Sequence, residues 1–323
     1  MHTYSKTDPI LWTGRKSGQQ LYLHEKVICV DLNSEQVPSI NGRSWAILGY
    51  ACDEGVKRNE GRIGAALGPD AIRKQLAKLP NHLRENTLFL DTGTVDCQDG
   101  DLKKTQTVLS RTVTQLLQQN AFPILLGGGH DIAYGHYNGI KRYLATEGIN
   151  KSVGIINFDA HFDLRSNQTN NNSGTPFYQI AQECKLDQSK FRYMCLGIRE
   201  DANNSSLYGT AKDLGVSYVD KTNFNLLHFN TIKDKIAQFA KDVDYIYTTI
   251  DLDGFSSAYA PGVSAASPMG FSPEIVLECL KIIIASKKMI SFDIAEMNPT
   301  YDIDHQTAKL AASLIHFVIH QSQ

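Results

Sequence analysis

The sequence predicts an α/β protein with three layers, α/β/α, in which helices cover both faces of a central, mainly parallel sheet of about eight strands. Two observations support this prediction. Short runs of apolar residues alternate along the chain with longer segments of helical periodicity. The short runs are apolar at nearly every position, which is typical of strands in a sheet that is buried on both faces.

The individual elements follow from local patterns. Pro69 begins a helix because proline is favoured in a first turn, and Ile72, Leu76 and Leu79 then share one face. The apolar runs predicted to be strands are residues 45–50, 87–90, 122–126, 153–158, 192–196, 216–219, 245–250 and 289–293. The further segments with helical period are residues 102–119, 132–146, 204–214, 227–241, 273–286 and 305–319.

The composition is that of a soluble globular protein. The chain has 323 residues, 42% hydrophobic and 20% charged, and its net charge of −2 gives no reason to expect nucleic acid or an anionic membrane as a partner. No apolar stretch is long enough to span a bilayer, and the first residues lack the apolar core of a signal peptide. We therefore expect a cytoplasmic protein with one domain over residues 1–323, of which residues 1–40 form an irregular N-terminal extension.

The six cysteines show no CxxC pair and no regular spacing, so they are expected to be reduced thiols rather than a disulfide framework. Cys52 lies near a predicted site loop. A redox role for its thiol stays open, although a structural role is the simpler interpretation.

Three short segments carry six candidate metal ligands. Each segment directly follows a predicted strand, and the carboxyl ends of parallel strands meet at one edge of a sheet. The candidates are His130, Asp159, His161, Asp163, Asp251 and Asp253. Alternate residues of an extended chain point the same way, so Asp-x-His-x-Asp and Asp-x-Asp are each expected to present their ligands together. Carboxylate oxygens with imidazole suit Mn²⁺ or a similar ion, and four carboxylates favour two metals rather than one.

Each segment has a simpler interpretation when it is taken alone. An Asp at a strand end is commonly a helix cap or a turn residue. The three glycines at residues 127–129 resemble a phosphate loop, but neither Gly-Lys-Ser/Thr nor GxGxxG follows. The coincidence of the three segments therefore favours a metal centre over nucleotide binding.

A binuclear centre predicts a hydrolase. Two ions about 3.5–4 Å apart lower the pKa of a water between them, and the resulting hydroxide attacks a trigonal carbon. Asp163 is the candidate to pass a proton to the leaving nitrogen. Glu296 follows the last predicted strand, and its carboxylate is suited to bind an amidinium or guanidinium group. The alternative for Glu296 is a helix cap or a surface ion pair.

Four segments carry a resemblance to a known family. GGGHDIAYGH, NFDAHFDLR, TTIDLDGFSSAYAPG and FDIAEMNP resemble the ureohydrolase family of arginases and agmatinases. The resemblance covers residues 45–319 and implies a three-layer α/β/α fold with two Mn²⁺ per subunit. It implies that Asp163 and Asp251 bridge the ions, that His161 and Asp253 belong to the second ion, and that Glu296 orients the amidino group. It also implies a homo-oligomer.

One position narrows the resemblance. Where arginases and agmatinases carry a proton-shuttling His, this chain has Phe177, which resembles formimidoylglutamases. Arg165 directly after the ligands, the segments at residues 52–65 and 173–177, and the segment at residues 260–265 resemble that subfamily too. The planar guanidinium of Arg165 is expected to bind a substrate carboxylate. Arg62 with Asn59 is a weaker candidate for a second carboxylate, with loop anchoring as the alternative, and Arg199 is weaker still.

The resemblance therefore implies hydrolysis of N-formimidoyl-L-glutamate to L-glutamate and formamide, a step of histidine degradation, by a metal-bridging hydroxide. Three alternatives remain at this point. The first is a guanidino-acid hydrolase that releases urea, such as a guanidinobutyrase or guanidinopropionase. The second is a catalytically inactive metal-binding homologue. The third is a zinc amidohydrolase, which the carboxylate-rich ligand set disfavours.

Overall fold

A ten-stranded sheet forms the centre of the computed structural model, which describes residues 3–38 and 42–322. Its strands are β1 (Tyr4–Ser5), β2 (Ile28–Cys29), β3 (Ser44–Ala51), β4 (Leu88–Asp96), β5 (Ala121–Leu126), β6 (Val153–Phe158), β7 (Tyr193–Ile198), β8 (Ser217–Asp220), β9 (Tyr245–Asp251) and β10 (Met289–Ala295). The order across the sheet is β1-β4-β3-β5-β10-β9-β6-β7-β8, and β2 also pairs with β4. All described pairs are parallel except β1 with β4.

Helices cover both faces of this sheet, as the sequence predicted. Longer helices are α3 (Gly68–Leu76), α4 (Leu102–Gln118), α5 (Ile132–Thr146), α6 (Pro176–Leu186), α7 (Ser205–Asp213), α8 (Phe229–Lys241), α9 (Pro273–Ala285) and α10 (Gln306–Gln321), and the short ones are α1 (Leu23–Lys26) and α2 (Glu54–Arg58). Residues of α3, α8, α9 and α10 share one apolar core, and residues of α4 to α7 share the other.

Strand alternation explains why the strands are apolar throughout. In β3, Trp45 and Ile47 belong to the first core, whereas Ala46 and Leu48 belong to the second. Successive side chains of a strand point to opposite faces, so a strand between two helical layers buries every side chain. The predicted three-layer α/β/α architecture is therefore confirmed.

The differences from the predicted elements have local causes. Strand β4 continues beyond residue 90 to Asp96, because Asp91 and Thr94 are polar but buried and hydrogen-bonded. Helix α6 was not predicted, although Phe177, Ile180 and Cys184 are buried along one face of it. Two strands more than the expected eight come from β1 and β2, which lie in the segment predicted to be irregular.

The N-terminal segment is attached to the edge of the sheet through one buried carboxylate. Asp91 accepts hydrogen bonds from Trp12 Nε1 at 2.6 Å and from Thr7 Oγ1 at 2.7 Å. The guanidinium of Arg73 on α3 donates to the same carboxylate from Nε at 2.8 Å and from Nη2 at 2.9 Å. Much of the segment has no regular secondary structure, yet these contacts hold it against β4.

Among the described residues, we find no helix that combines the length and the apolarity needed to cross a membrane.

Replacing Asp91 by Ala is expected to lower the free energy of unfolding by about 3–5 kcal/mol, because the buried guanidinium of Arg73 loses its buried counter-charge and keeps only the exposed Asp70, 3.3 Å from its Nη1. Denaturant unfolding followed by fluorescence measures the change. The matched control is Glu278→Ala, which removes an exposed ion pair with Lys281 and is expected to cost about 1 kcal/mol or less. A loss as small as that of the control would contradict the assigned role of Asp91.

Candidate active site

The carboxyl ends of four neighbouring strands carry the candidate ligands. Strands β5, β10, β9 and β6 lie side by side, and His130, Glu296, Asp251 and Asp159 lie at or just beyond their ends. The register aligns these ends, since Leu126 pairs with Ile294, Ala295 pairs with Asp251, and Phe158 pairs with Ile250. Residues far apart in the sequence therefore meet at one point, as expected for the carboxyl edge of a parallel sheet.

The first group of donor atoms surrounds the ring of His130. Its Nδ1 lies 2.9 Å from Asp163 Oδ2, 3.1 Å from Asp251 Oδ2 and 3.2 Å from Asp159 Oδ2. All four residues are buried, and Nδ1 of His130 has no hydrogen-bond partner among the described residues. Three carboxylates and one imidazole that converge in this way are a group that could hold a metal ion.

The second group lies beside the first and shares one residue with it. His161 Nδ1 is 3.3 Å from Asp253 Oδ1 and 3.4 Å from Asp159 Oδ1. Asp159 therefore presents one carboxylate oxygen to each group. The resemblance implies that Asp163 and Asp251 bridge the ions, and in the structure both residues lie in the first group. Asp159 is the residue that the two groups have in common.

The backbone of the ligand segments is not extended throughout. The chain does not remain extended after β6: it bends at Ala160 and His161, and Asp163 has a left-handed φ of 49°. Asp253 likewise lies in a short 3-10 turn after β9 rather than in a strand. The ligands converge as predicted. The expected reason, that alternate residues of an extended chain point the same way, is wrong for these segments.

The electrostatics of the site favour a cation. Burial alone would lower the pKa of His130 and of His161, but hydrogen bonding and attraction to the surrounding aspartates raise both well above the ordinary value. Burial, with the charge of Asp251, raises the pKa of Asp253 and of Glu296 well above the usual range. So much negative charge in a buried place is costly unless a cation neutralises it, and the oxygen and imidazole donors fit a divalent metal.

Three residues that the sequence analysis did not single out hold the ligands. Thr249 Oγ1 lies 3.0 Å from His130 Nε2, and Asn157 Nδ2 donates to Asp159 Oδ2 at 2.9 Å. Each precedes a ligand of its own strand by two residues, so the two-residue period of a strand could have identified them. The third is Asn203, whose amide binds the loop on both sides of His161. It accepts from the backbone N–H of residue 162 at 3.0 Å and donates to the carbonyl of residue 160 at 2.8 Å.

Glu296 lies in the wall of a cavity of about 320 Å³ that also includes both ligand histidines. Its Oε1 accepts the backbone N–H of His130 at 2.9 Å. Its Oε2 is buried and has no hydrogen-bond partner among residues 3–38 and 42–322. Glu296 therefore neither caps a helix through its side chain nor pairs with a surface lysine. One carboxylate oxygen is left for a ligand of the cavity.

The cationic candidates differ in how their side chains are used. Arg165 is exposed, lines the cavity, and forms no ion pair with the described residues, and Asn59 lines the cavity beside it. Arg62 lines the cavity too, but its Nε and Nη2 donate to the carbonyls of residues 264 and 263 at 2.9 and 2.5 Å, which fits the loop-anchor alternative. Arg199 forms a two-pronged ion pair with Asp201 and is not part of this cavity wall.

Phe177 and Cys52 are buried residues that contact the segment carrying His130. Phe177 is fully buried with its ring edge-on to that of His130, at 5.4 Å between centroids. The carbonyl of Cys52 accepts the N–H of Gly129 at 2.9 Å, and a Cβ at Gly128 would lie 1.8 Å from that oxygen, so a glycine is required there. A hydrogen bond with Cys97 and burial raise the pKa of the Cys52 thiol, which favours a structural rather than a reactive thiol.

Replacing Asn203 by Ala is expected to weaken the binding of a divalent metal ion about 10- to 100-fold, because residues that orient ligands contribute about that much to metal affinity. Titration calorimetry on metal-free protein measures the affinity. The matched control is Asn204→Ala, since the side chain of Asn204 caps α7 by accepting the N–H groups of Ser206 and Leu207 rather than binding the ligand loop. Equal affinities in the two variants would contradict the positioning role of Asn203.

The chain is similar to known proteins both in sequence and in fold. The sequence model of the arginase family matches residues 43–320. Formimidoylglutamase of Clostridium tetani (strain Massachusetts / E88) is 39% identical over 98% of this chain and 95% of its own length.

Two solved structures share the fold. Formimidoylglutamase of Bacillus subtilis has a TM-score of 0.80 at 23% identity, over 96% of this chain and 94% of that one. Trypanosoma cruzi formiminoglutamase with Mn²⁺₂ has a TM-score of 0.75 at 22% identity, over 88% and 95%. At these identities the structural matches establish the arginase fold alone, whereas the sequence matches establish kinship. The chain belongs to the arginase family.

Proposed function

We propose that the protein is a binuclear manganese hydrolase that cleaves N-formimidoyl-L-glutamate to L-glutamate and formamide. The observation that carries this proposal is the buried Glu296, which has an unpartnered Oε2 among the described residues and lines one cavity with residues of both ligand groups and with Arg165. A cavity with a carboxylate at one place and a guanidinium at another suits a substrate that is cationic at one end and anionic at the other. The Clostridium tetani relative is named formimidoylglutamase, and it matches this chain over nearly the whole length of both proteins.

The first ion would be held by His130, Asp163 and Asp251, and the second by His161 and Asp253. Asp159 would bind both, because its two oxygens face different groups. The Trypanosoma cruzi relative with Mn²⁺₂ and the hard oxygen donors support manganese. When bound, such a pair supplies a water of lowered pKa and stabilises negative charge at the carbon under attack.

Glu296 binds and orients the formimidoyl group. Its Oε1 is held by the N–H of His130, which leaves Oε2 to accept an N–H of the protonated amidine. The carboxylate is buried, so little water competes for this hydrogen bond, and charge-assisted bonds of this kind are strong. The carbon of the bound group is thereby held beside the two ligand groups.

Asp163 transfers the proton. Its Oδ2 faces His130, and the residue also lines the substrate cavity. When water adds to the formimidoyl carbon, Asp163 takes the proton and passes it to the glutamate nitrogen. That nitrogen leaves as an amine when its bond to the formimidoyl carbon breaks, and formamide is the second product.

Arg165 binds a carboxylate of the glutamate moiety. Its guanidinium has no protein counter-ion among the described residues and lies in the cavity wall near Asn59. Arg62 is less suited because two of its N–H groups already bind backbone carbonyls, and its guanidinium stacks 3.8 Å over the ring of Tyr301. We propose that Arg165 binds the substrate carboxylate and that Arg62 holds the loops of the cavity wall in place.

We also propose that the protein works in the cytoplasm as a homo-oligomer. All six cysteines are free thiols, which is typical of a reducing compartment. Leu226 and Leu227 are 52% and 94% exposed beside other apolar side chains, and such surfaces commonly form subunit contacts. Sedimentation equilibrium tests the oligomer.

The proposed activity is tested by a hydrolysis assay on Mn²⁺-loaded protein with N-formimidoyl-L-glutamate, L-arginine, agmatine and 4-guanidinobutyrate side by side. Glutamate formation from the first substrate alone is the expected result. Urea from one of the other three, with the first untouched, would establish a guanidino hydrolase instead. Two bound metals without hydrolysis of any amidino compound would indicate an inactive homologue.

Replacing Asp163 by Asn is expected to lower kcat by about 10²- to 10⁴-fold, because an amide cannot take and return the proton. Steady-state kinetics with metal content measured on the same sample test this. Retained turnover at full metal loading would refute the proton-transfer role.

Replacing Arg165 by Ala is expected to raise KM for N-formimidoyl-L-glutamate about tenfold or more and to change kcat much less, because the lost contact binds substrate and transition state alike. The control substrate is an N-alkylformamidine without a carboxylate, whose KM should stay the same. A similar rise for both substrates would mean that Arg165 acts on the metal centre or the fold.

A further inference from the structure

The side chain of Arg165 lies across a residue that has no side chain of its own. A Cβ added to Gly174 would lie 2.8 Å from Arg165 Cδ and 3.0 Å from its Nε. It would also lie 3.3 Å from the amide nitrogen of Asn59. The backbone joins the same pair, since Arg165 N–H donates to the carbonyl of Gly174 at 2.9 Å. The aliphatic part of the Arg165 side chain therefore packs directly against the backbone of Gly174.

The backbone conformation does not explain the glycine. The glycines with positive φ in the described chain do not include Gly174, so an L-residue can adopt the local conformation. The loop is held by other contacts: Gly174 N–H donates to Asn172 Oδ1 at 2.9 Å, and Ser173 Oγ accepts from Asn59 at 3.2 Å. A larger residue at position 174 would instead occupy the space that the side chains of Arg165 and Asn59 need.

Arg165 stands between two cavities. One is the catalytic cavity of about 320 Å³, and the other is a neighbouring polar cavity of about 480 Å³. Arg165 and Asn59 line both, while Asn172, Asn204 and Ser206 line only the second. If the Arg165 side chain is pushed away from residue 174, it has open, polar space to enter in the second cavity, and its guanidinium would then leave the cavity that contains the ligand groups.

We propose that Gly174 is a specificity-determining positioning residue, which keeps the guanidinium of Arg165 in the catalytic cavity and thereby selects amidines that carry a carboxylate. This inference rests on the proposed function. Gly174 touches no substrate in this account and acts only through the side chain above it. Because Arg165 is exposed and flexible, an added methyl group displaces that side chain rather than the fold.

The variant Gly174→Ala is expected to raise KM for N-formimidoyl-L-glutamate about tenfold, equivalent to about 1.4 kcal/mol of binding free energy. Its kcat, its bound manganese and its KM for an N-alkylformamidine without a carboxylate should stay within about twofold of the wild type. The matched control is Gly209→Ala on α7, where an added Cβ meets no atom within 4 Å.

A double-mutant cycle separates positioning from a structural role. In the Arg165→Ala background, Gly174→Ala should change KM by less than about twofold, because the two Arg165 atoms nearest to the added Cβ are absent and only Asn59 Nδ2, at 3.3 Å, remains close to it. Equal effects in both backgrounds, or an unchanged KM in the single variant, would overturn the inference. If Gly174→Ala fails to fold, the double variant should regain folding and metal content, and a double variant that also fails overturns it. Wild-type protein inactive on N-formimidoyl-L-glutamate would refute the proposed function, and this inference with it.

Discussion

The structure depends on five carboxylates buried at the carboxyl edge of one sheet. Asp159, Asp163, Asp251, Asp253 and Glu296 are all buried there, with only two histidines among them. Charge of one sign in a low-dielectric place opposes folding unless a cation binds. A divalent ion in each of the two groups removes this conflict, and the metal would therefore contribute to the stability of the folded chain as well as to the chemistry.

The neighbouring residues can be understood as the means of holding these charges in place. Asn157, Asn203 and Thr249 donate or accept hydrogen bonds that fix the ligand loops. Asp163 and Glu296 have positive φ values of 49° and 67°, which non-glycine residues seldom adopt. Such conformations persist where the surrounding structure enforces them, and they are commonly found at functional sites.

The sequence predicted what depends on strong local patterns. Continuous apolar strands between helices predicted the layers, and ligand types at strand ends predicted which side chains meet. It could not predict that Asp159 is common to both groups, because the chain bends after β6 and its ligands do not simply alternate as in an extended strand. Asn203 carried no signal, since it lies forty residues beyond the loop that it holds. The sequence left open whether Arg62 binds a substrate carboxylate or anchors a loop, because only the fold brings the carbonyls of residues 263 and 264 to its guanidinium. Helix α6 has no counterpart among the predicted elements, although Phe177, Ile180 and Cys184 have the spacing of one apolar helix face.

The central claim is that two ions share Asp159, and a titration of metal-free protein with Mn²⁺ tests it most directly. Calorimetry gives the number of ions bound, and electron paramagnetic resonance reports whether they are magnetically coupled through a common ligand. We expect two ions per chain with a coupled spectrum, and loss of the coupling in Asp159→Asn. One ion per chain, or two uncoupled ions whose binding is unaffected by Asp159→Asn, would contradict the account.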